Sequence, residues 1–364
     1  MLTNQCPQCG RAIRFKGLCL RCRIENERNA ILALNDEELA AKTAEVTADD
    51  GFDDELCLRL IALRDINTEQ IAEYCWEKRE FGLPEVFKDV SDNVTDEMLA
   101  ELFRDDLDSM TANRLLSCLA HKGGGKVLNA FVELENNPKK WRKDLYVDPS
   151  YYANSGGWTF KKEDGKLIRT AFDKCFPIIK GTPEQRAESP VKLVTAADGK
   201  CPECNCRYIN IIELNGKDKR LEFLGIDGTL KVKCCPNCSP FDEAQFCRYD
   251  LNGGESVVIP SKGYGMPMDE DDVNRWLDKA QDNTFILGEQ AQSVYFPCDR
   301  DFSVSAVGGF AEWVQDCIIV NCPDCGKPMT YLAQIGEEPL GFEGNFYVEV
   351  CRECKTAAVL YQQT

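Results

Sequence analysis

The sequence predicts an α+β protein: an N-terminal zinc ribbon and a helical, HEAT-like domain, followed by a β-rich domain built from two related zinc-knuckle units. Three observations lead to this fold class. Cysteines recur in Cys-x-x-Cys pairs typical of structural zinc sites, amphipathic helical text follows the first pairs, and β-prone runs follow the later ones. The predicted domains are residues 1–24 for the ribbon, 25–145 for the helical domain and 146–364 for the β-rich domain.

The clearest metal signal lies near the C-terminus, where 25 residues separate two Cys-x-x-Cys pairs. Its four cysteines are Cys322, Cys325, Cys351 and Cys354. Four thiolates presented by two turns fill a tetrahedral zinc site, whereas the alternative is a reducible disulfide or a redox pair. The apolar runs 330–335 and 346–350 predict a hairpin or small sheet between the pairs.

The same arrangement occurs twice more. The second set is Cys201, Cys204, Cys235 and Cys238. The set nearest the N-terminus is Cys6, Cys9, Cys19 and Cys22. Cys206 and Cys234 adjoin the second set, and either could replace a ligand there. We therefore expect about three structural Zn²⁺ sites per chain.

The second and third sets look like copies of each other. Their first pairs lie 121 residues apart and their second pairs 116 residues apart. Each first pair is Cys-Pro-acidic-Cys and precedes an apolar run, at 208–214 and 329–335. This pattern predicts an internal duplication, with units at about 160–250 and 285–364. A helix predicted at 269–280 would lie between the two units.

Length and composition describe an ordinary globular protein. A chain of 364 residues with 43% apolar residues can build two or three domains with cores of their own. The sequence shows neither a membrane-spanning run nor a signal peptide, so we expect a cytoplasmic protein. Nine cysteines lie outside the three sets. Several of them, such as Cys57, Cys75 and Cys118, lie in helical text, as expected of buried thiols in a reducing compartment.

The net charge is −18, from 61 acidic and 43 basic residues. Such a charge repels a phosphate backbone and disfavours nucleic-acid binding by the chain as a whole. It would favour a basic protein partner, although it could equally serve solubility alone. The N-terminal segment is locally basic around Phe15, which leaves a nucleic-acid finger open beside a structural cap on the helices. Its basic residues are Arg11, Arg14, Lys16, Arg21 and Arg23.

Residues 24–135 carry short amphipathic helices in series, which predict a solenoid of HEAT-like pairs or a simple bundle. Expected helix starts are the Asn35–Glu38 capping box, the acidic turn 53–55, Asn67 with Gln70, and Thr95, with further helices at 112–121 and 126–134. The stretches 181–190 and 260–267 are rich in turn residues and predict loops.

We find no catalytic constellation and expect no enzyme. The single histidine, His121, lies at a helix end, where a surface or capping role is the plainer reading. The run 123–126 lacks phosphate-loop spacing and predicts a turn between helices. Sites with four cysteines are closed, whereas a catalytic zinc keeps an open position.

The runs 308–315, 322–329 and 332–335 resemble the YwqG-type family of uncharacterised bacterial proteins. One departure is Ala311, where that family usually has proline. The segment 141–160 resembles the junction in relatives that carry helical repeats. The resemblance implies an immunity protein encoded beside a polymorphic toxin, including toxins delivered by contact-dependent or type VI secretion.

The expected function is therefore that of an antitoxin that binds one cognate secreted antibacterial toxin and neutralises it by stoichiometric occlusion. The acidic helical face and loops of the β-rich domain are the expected contact regions. Trp158, Trp313 and Tyr264 are candidate anchors, unless they are buried aromatics. The alternative is a zinc-ribbon protein that binds nucleic acid or the transcription machinery. Contact with a membrane is not expected.

Overall fold

The computed structural model describes residues 4–48, 51–260, 270–282, 284–299, 304–341 and 343–363. Helices occupy the first part of the chain and strands the second, which confirms the α+β class. Within the described ranges, no helix is long and apolar enough to cross a membrane. Tyr264 and most of the predicted loop 260–267 lie outside the described residues.

Seven helices follow a short N-terminal hairpin of β1 (Asn4–Gln5) and β2 (Ala12–Ile13). They are α1 (Leu20–Leu32), α2 (Asp36–Glu45), α3 (Asp54–Arg64), α4 (Glu69–Lys78), α5 (Asp92–Leu102), α6 (Ser109–Lys122) and α7 (Gly124–Asn136). The predicted capping box at the start of α2 is confirmed, because Asn35 and Glu38 exchange both hydrogen bonds. The pairing of these helices in HEAT-like repeats stays a prediction.

The start of α5 was predicted wrongly. The N-cap is Ser91, whose Oγ accepts the Val94 N–H at 3.4 Å. Thr95 lies one turn inside the helix, where its buried hydroxyl donates to the Ser91 carbonyl at 2.8 Å. Ser91 can adopt the extended backbone of an N-cap, whereas Thr95 is β-branched and its side chain is buried in the core. Ser91 is therefore the better cap.

The start of α4 is also displaced from its prediction. Thr68 is the residue before the helix, and Asn67 accepts the Glu69 N–H at 3.0 Å instead of acting as the N-cap. The Thr68 hydroxyl is occupied elsewhere, because it donates to Asp89 at 3.2 Å. The Thr68 side chain is therefore used in a tertiary hydrogen bond and does not cap the helix.

The core of the helical part continues into the β-rich part, which also has a core of its own. Helices α3 and α6 are buried over most of their surface, and their core extends to Trp158, Phe160 and Tyr295. The Trp158 indole donates to the Ala120 carbonyl in α6 at 2.9 Å. The predicted boundary at residue 145 stays a prediction, and close packing crosses it.

Four further α-helices and thirteen strands follow in the described chain. The helices are α8 (Pro149–Tyr152), α9 (Pro183–Glu188), α10 (Glu270–Gln281) and α11 (Glu337–Leu340). The strands are β3 (Trp158–Phe160), β4 (Leu167–Arg169), β5 (Cys175–Lys180), β6 (Val191–Lys200), β7 (Arg207–Asn215), β8 (Thr229–Cys234), β9 (Gln245–Arg248), β10 (Val257–Ile259), β11 (Phe285–Leu287), β12 (Ser305–Gly308), β13 (Thr330–Ile335), β14 (Asn345–Cys351) and β15 (Thr356–Gln362).

The loop predicted at 181–190 contains helix α9 instead. Thr182 and Gln185 form a capping box, and Pro183 occupies the first helical position. Both features are readable in the sequence as helix-start signals. The density of turn residues around them favoured the wrong prediction.

The larger sheet has eight strands in the order β10-β9-β15-β14-β13-β12-β5-β11, and each neighbouring pair is antiparallel. A three-stranded sheet, β6-β7-β8, packs beside it in a common core. Helix α10 contacts β6, and Trp276 donates to the Leu340 carbonyl at 2.5 Å. The helix predicted at 269–280 is therefore present and packs on the three-stranded sheet, whereas its place between two related units stays a prediction.

The hairpins β7–β8 and β13–β14 are alike in one detail. Each has a register shift in its first strand, at Ile211 and at Leu332. Both residues are fully buried and lie seven positions after Cys204 and Cys325, respectively. A bulge at equivalent positions is the kind of feature that related units keep. The predicted duplication is supported by this likeness and stays a prediction.

Candidate metal centres

The structure gathers the twelve paired cysteines into three clusters, and the four sulfurs of each cluster lie within 4.8 Å of one another. They are Cys6, Cys9, Cys19 and Cys22; Cys201, Cys204, Cys235 and Cys238; and Cys322, Cys325, Cys351 and Cys354. Cys206 and Cys234 do not belong to the second cluster. In the described part of the chain, no histidine or carboxylate joins any of the three.

The sulfur spacing fits a tetrahedral ion. The distance is 3.6 Å between Cys9 and Cys19, 3.4 Å between Cys204 and Cys235, and 3.8 Å between Cys325 and Cys351. Four sulfurs at about 2.3 Å from a zinc ion would lie about 3.8 Å from one another. A disulfide would need about 2.05 Å. The clusters therefore have the size of a metal site, and every cysteine in them is a free thiol.

All three first pairs adopt the same turn. The residue after the second cysteine has a left-handed backbone, with φ of +72° at Gly10, +61° at Asn205 and +71° at Gly326. Its N–H donates to the carbonyl of the first cysteine at 2.8–2.9 Å in each case. This turn places both thiols on one side of the backbone. Glycine adopts such a φ without strain and asparagine tolerates it, which explains these residue types.

The first cluster is completed by a helix. Cys19 is the N-cap of α1 and Cys22 lies in its first turn, so this second pair lies at the start of a helix and not on a turn. The Cys19 N–H donates to the sulfur of Cys6 at 3.3 Å. The positive end of the helix dipole favours negatively charged sulfur here.

The second cluster is supported by buried polar side chains that the sequence did not single out. Gln245 accepts the Cys235 N–H at 2.9 Å and the Ser239 hydroxyl at 3.1 Å. The same Ser239 hydroxyl donates to the Cys235 carbonyl at 2.7 Å. Such hydrogen bonds orient the ligand-bearing turn. Gln245 lies on β9, and no local spacing rule could have identified it as a partner of the cluster.

The third cluster is tied to strands on both sides. Asp324, between the first two cysteines, accepts from the Thr356 hydroxyl at 2.8 Å and from Arg248 at 2.6 Å. Thr356 begins β15 and Arg248 ends β9, and these two residues are partners in the sheet. The turn that presents Cys322 and Cys325 is therefore fixed to the eight-stranded sheet.

Each cluster contains one thiol whose pKa is lowered. The Cys19 N–H lowers the pKa of Cys6 to about 6, and the Lys327 N–H lowers the pKa of Cys325. At Cys204 burial raises the pKa, but hydrogen bonds that include the Asn237 side chain outweigh it and bring it to about 7. Burial and the neighbouring sulfurs raise the pKa of Cys22 and Cys238. A cation would remove this mutual repulsion, so the groups have the electrostatics of a cation site.

Cysteines outside the clusters behave as buried hydrophobic residues. Cys57, Cys75 and Cys118 lie in the helical core, as predicted. Burial raises the pKa of Cys57 and of Cys75 to about 12 and that of Cys118 well above the usual range. Such thiols are protonated and unreactive at neutral pH.

His121 lies in the last turn of α6 and is half-buried. Its Nδ1 lies 3.1 Å from the Tyr295 hydroxyl, and its ring packs edge-on against Phe310 at 6.4 Å. Burial lowers its pKa. It therefore fills the seam between α6 and the β-rich part. The turn predicted at 123–126 is shorter than expected: Gly123 alone separates α6 from α7, which begins at Gly124.

Two of the three candidate anchors fall in the described chain. Trp158 is buried. Trp313 is half-buried and stacks on Tyr347 with ring centres 4.4 Å apart. Both are held by intramolecular contacts, so neither offers a free ring to a partner.

Comparisons with known proteins add one relative. The chain is 26% identical over 338 residues to a Salmonella typhimurium protein described as uncharacterized protein YpfL, an alignment that covers 88% of this chain and 76% of that protein. No family model matches the chain. No solved structure matches it either. The resemblance to the YwqG-type family therefore stays a prediction.

Proposed function

We propose that this chain is a zinc-braced immunity protein, an antitoxin that binds a cognate secreted antibacterial toxin and neutralises it by stoichiometric occlusion. The observation that carries the proposal is the set of three clusters with four thiols each. A metal held by four sulfurs has no open position for water and serves structure. The fold then presents a rigid surface, and little ordering entropy opposes binding.

Zinc is the metal that we assign to the clusters. Four thiolates in a tetrahedron suit Zn²⁺, and iron is the other metal that takes this ligand set. The twelve clustered cysteines would hold three ions, which would supply folding free energy at the turns that bear them. Elemental analysis of the purified protein should return about three zinc ions per chain. Iron in stoichiometric amount, with its visible absorbance, would contradict the assignment.

The helical part offers an acidic concave surface for a basic partner. A cleft of about 590 Å³ lies between α2 and the start of α4. Asp36 and Glu69 line this cleft and are exposed. Their charge agrees in sign with the −18 of the whole chain. Complementary charge speeds the encounter with a basic toxin and selects against other partners.

The proposal is tested with the toxin itself. The C-terminal domain of a large secreted protein encoded directly upstream is expressed in cells with and without this chain. We expect full rescue from toxicity and a complex of one copy of each protein by size-exclusion chromatography with light scattering. Failure to rescue the cells would refute the proposal. Rescue at far below one copy per toxin would indicate an enzyme instead.

Charge reversal locates the contact surface. The double variant Asp36→Lys, Glu69→Lys should weaken the complex about tenfold or more, mainly through slower association. The matched control is Glu163→Lys, an exposed acid on the turn between β3 and β4. Equal weakening by both variants would assign the effect to net charge and not to the cleft.

A second candidate function rests on the N-terminal hairpin. Phe15 is 54% exposed between the exposed residues Arg14 and Lys16. An exposed ring flanked by cations can stack on a base and neutralise phosphate. Binding of single-stranded RNA or DNA by the whole chain, steeply weakened by salt and abolished by Phe15→Ala, would favour this function. No binding at low salt would exclude it.

A further inference from the structure

A cleft of about 450 Å³ lies in the β-rich part, and no cluster cysteine lines it. Part of its lining comes from segments that sequence analysis singled out for other reasons: the runs 141–160 and 308–315, and the turn between Cys351 and Cys354. Such a volume is that of a small-molecule site, since these usually enclose about 300–1,000 Å³. Seven separate stretches of the chain converge on the cleft, so it is a feature of the fold.

The walls of the cleft are aromatic. Phe172 and Phe223 meet edge to face with ring centres 5.6 Å apart, and Phe310 lies on the opposite side. The Phe310 ring rests on the backbone of Gly157, where a Cβ atom would lie 2.3 Å from the ring. Gly157 also has a φ of +74°, which favours glycine. The rings are therefore held in place by packing and offer flat apolar faces.

Two guanidinium groups share the cleft. Arg352 donates to the Leu224 carbonyl at 3.2 Å and lies 5.7 Å from the centre of the Phe172 ring. It crosses the backbone of Gly225 so closely that a Cβ there would lie 2.7 Å from its nitrogen. Arg352 is thus fixed by neutral groups. Arg169, at the end of β4, is exposed on the same cleft.

Neither arginine forms an ion pair within the described residues, although the chain has 61 acidic residues. Asp173 also lines the cleft and pairs with neither of them. Two cations and one anion leave a positive balance on a small concave surface of an acidic protein. Guanidinium groups match carboxylate and phosphate groups through paired hydrogen bonds.

We propose that this cleft binds a small organic anion whose carboxylate or phosphate meets Arg169 and Arg352 and whose flat body lies against the phenylalanine rings. The size and concavity favour a small molecule, because protein partners cover flatter and much larger surfaces. The inference goes beyond the antitoxin function. It stands whether or not a toxin is bound.

Three kinds of probe test the chemistry on the full zinc-loaded chain by isothermal titration calorimetry. Benzoate and phenyl phosphate carry both a ring and an anion, benzyl alcohol carries the ring alone, and inorganic phosphate carries the anion alone. We expect saturable binding of benzoate or phenyl phosphate and at least about tenfold weaker binding of the other two. The stronger of the two aromatic probes distinguishes a carboxylate ligand from a phosphate ligand.

Variants place the binding in the cleft. Arg169→Gln and Arg352→Gln should each weaken the aromatic anion about tenfold or more. The control is Arg104→Gln, which removes an exposed arginine that pairs with Asp106 and does not line the cleft. Arg352 lies between two cluster cysteines, so zinc content is measured for that variant. Arg169 lies on β4 and tests the site independently of the metal.

Two results would overturn the inference. One is the absence of saturation by either aromatic anion at millimolar concentration. The other is binding that survives both arginine variants, since the probe would then sit elsewhere. If the probes fail and Arg169→Gln instead weakens the toxin complex, the cleft belongs to a protein interface. Failure of the probes alone leaves the antitoxin proposal intact, because rescue from toxicity does not depend on them.

Discussion

The first and third cysteine clusters have the same ligands and the same first turn, yet they lie in opposite surroundings. Among the described residues, the apolar neighbours of the first cluster are Ile13 and Leu18, on a hairpin of two-residue strands. The third packs with Met329, Tyr331 and Tyr347 on the face of the eight-stranded sheet. At the first cluster the metal would therefore take the place of a hydrophobic core. At the third cluster it would be one part of a large hydrophobic core.

This difference teaches where the free energy of metal binding goes. A segment too short to bury a core depends on its metal to fold, but its unfolding need not spread. At the third cluster, the cysteine-bearing turn is bonded to strands of the large sheet. Unfolding of that turn would therefore destabilise the sheet as well. Loss of the third site should therefore cost the whole protein more than loss of the first.

The largest expected effect is that of Cys325→Ser. Cys325 is exposed, but its turn is bound through Asp324 to β9 and β15. We expect loss of one zinc ion and a fall of the thermal unfolding midpoint by about 10 °C or more. Differential scanning calorimetry and elemental analysis measure both. The control Cys317→Ser, outside the clusters, should keep all three ions. An unchanged midpoint for Cys325→Ser would mean that the third metal is not structural.

A smaller effect is expected where α1 meets the body of the protein. Asp299 is 2% exposed, and Arg28 donates to it at 2.8 Å through Nε while Arg59 lies 3.9 Å away. Arg28→Ala removes a close cation from this buried carboxylate and should lower the free energy of unfolding by about 2 kcal/mol. Chemical denaturation measures the change. If the loss exceeds that of Cys325→Ser, then α1 supports the fold more than the third metal does.

The exposed pair of Arg104 and Asp106 provides the control for that measurement. Arg104→Ala should leave the denaturation midpoint unchanged, because water screens an exposed pair. A shift equal to that of Arg28→Ala would show that burial is not the reason for the effect.

The pH dependence of the free energy of unfolding tests the contact between the helical and β-rich parts at His121, which lies outside the three cysteine clusters. Burial lowers the pKa of His121 against Tyr295, and Glu85 opposes the shift only in part. The folded protein therefore holds the imidazole neutral while the unfolded chain binds a proton below about pH 6.5. Stability from this residue is present above that pH and is lost as the pH falls toward the folded pKa.

The single histidine makes the measurement direct. Nuclear magnetic resonance of its ring protons should give a pKa below the usual range. His121→Gln should flatten the stability curve between about pH 7 and pH 5. A ring that titrates at its ordinary pKa would show that water reaches the seam, and with it that the two parts of the chain do not share a closed core.

Local patterns in the sequence were enough to find the clusters and not enough to find their surroundings. Cysteine spacing predicted all twelve clustered thiols, and apolar runs predicted β7 and β13. The contacts that decide how each cluster behaves join distant segments: Arg28 to Asp299, and Arg248 to Asp324. Strand β9 follows β8 in the chain and falls in the first predicted unit. It nevertheless pairs with β15, which belongs to the second predicted unit. Local sequence periodicity does not predict such long-range pairings, because they depend on how the hairpins pack against one another after they form.

The errors at single helices have the same origin. At α5 the sequence offered both Ser91 and Thr95, and burial of Thr95 decided between them. At α1 the second cysteine pair was read as a turn, whereas Cys19 and Cys22 begin a helix of 13 residues. The same spacing of two residues fits a turn and the first turn of a helix. The tertiary contacts of α1, such as that of Ile31 with the helical core and that of Arg28 with Asp299, distinguish the two cases.

The smallest expected effect is that of Cys9→Ser, the closest match to Cys325→Ser. Both cysteines are exposed, and each precedes a glycine with a left-handed backbone. We expect loss of one zinc ion and faster hydrogen exchange over residues 4–19, with the global unfolding midpoint unchanged within about 2 °C. Hydrogen exchange with mass spectrometry separates the local change from the global one. A midpoint that falls as far as in Cys325→Ser would show that the ion pairs of Arg21 with Glu338 and Arg28 with Asp299 join the hairpin to the body in one cooperative unit, and the contrast between the two clusters would then be lost.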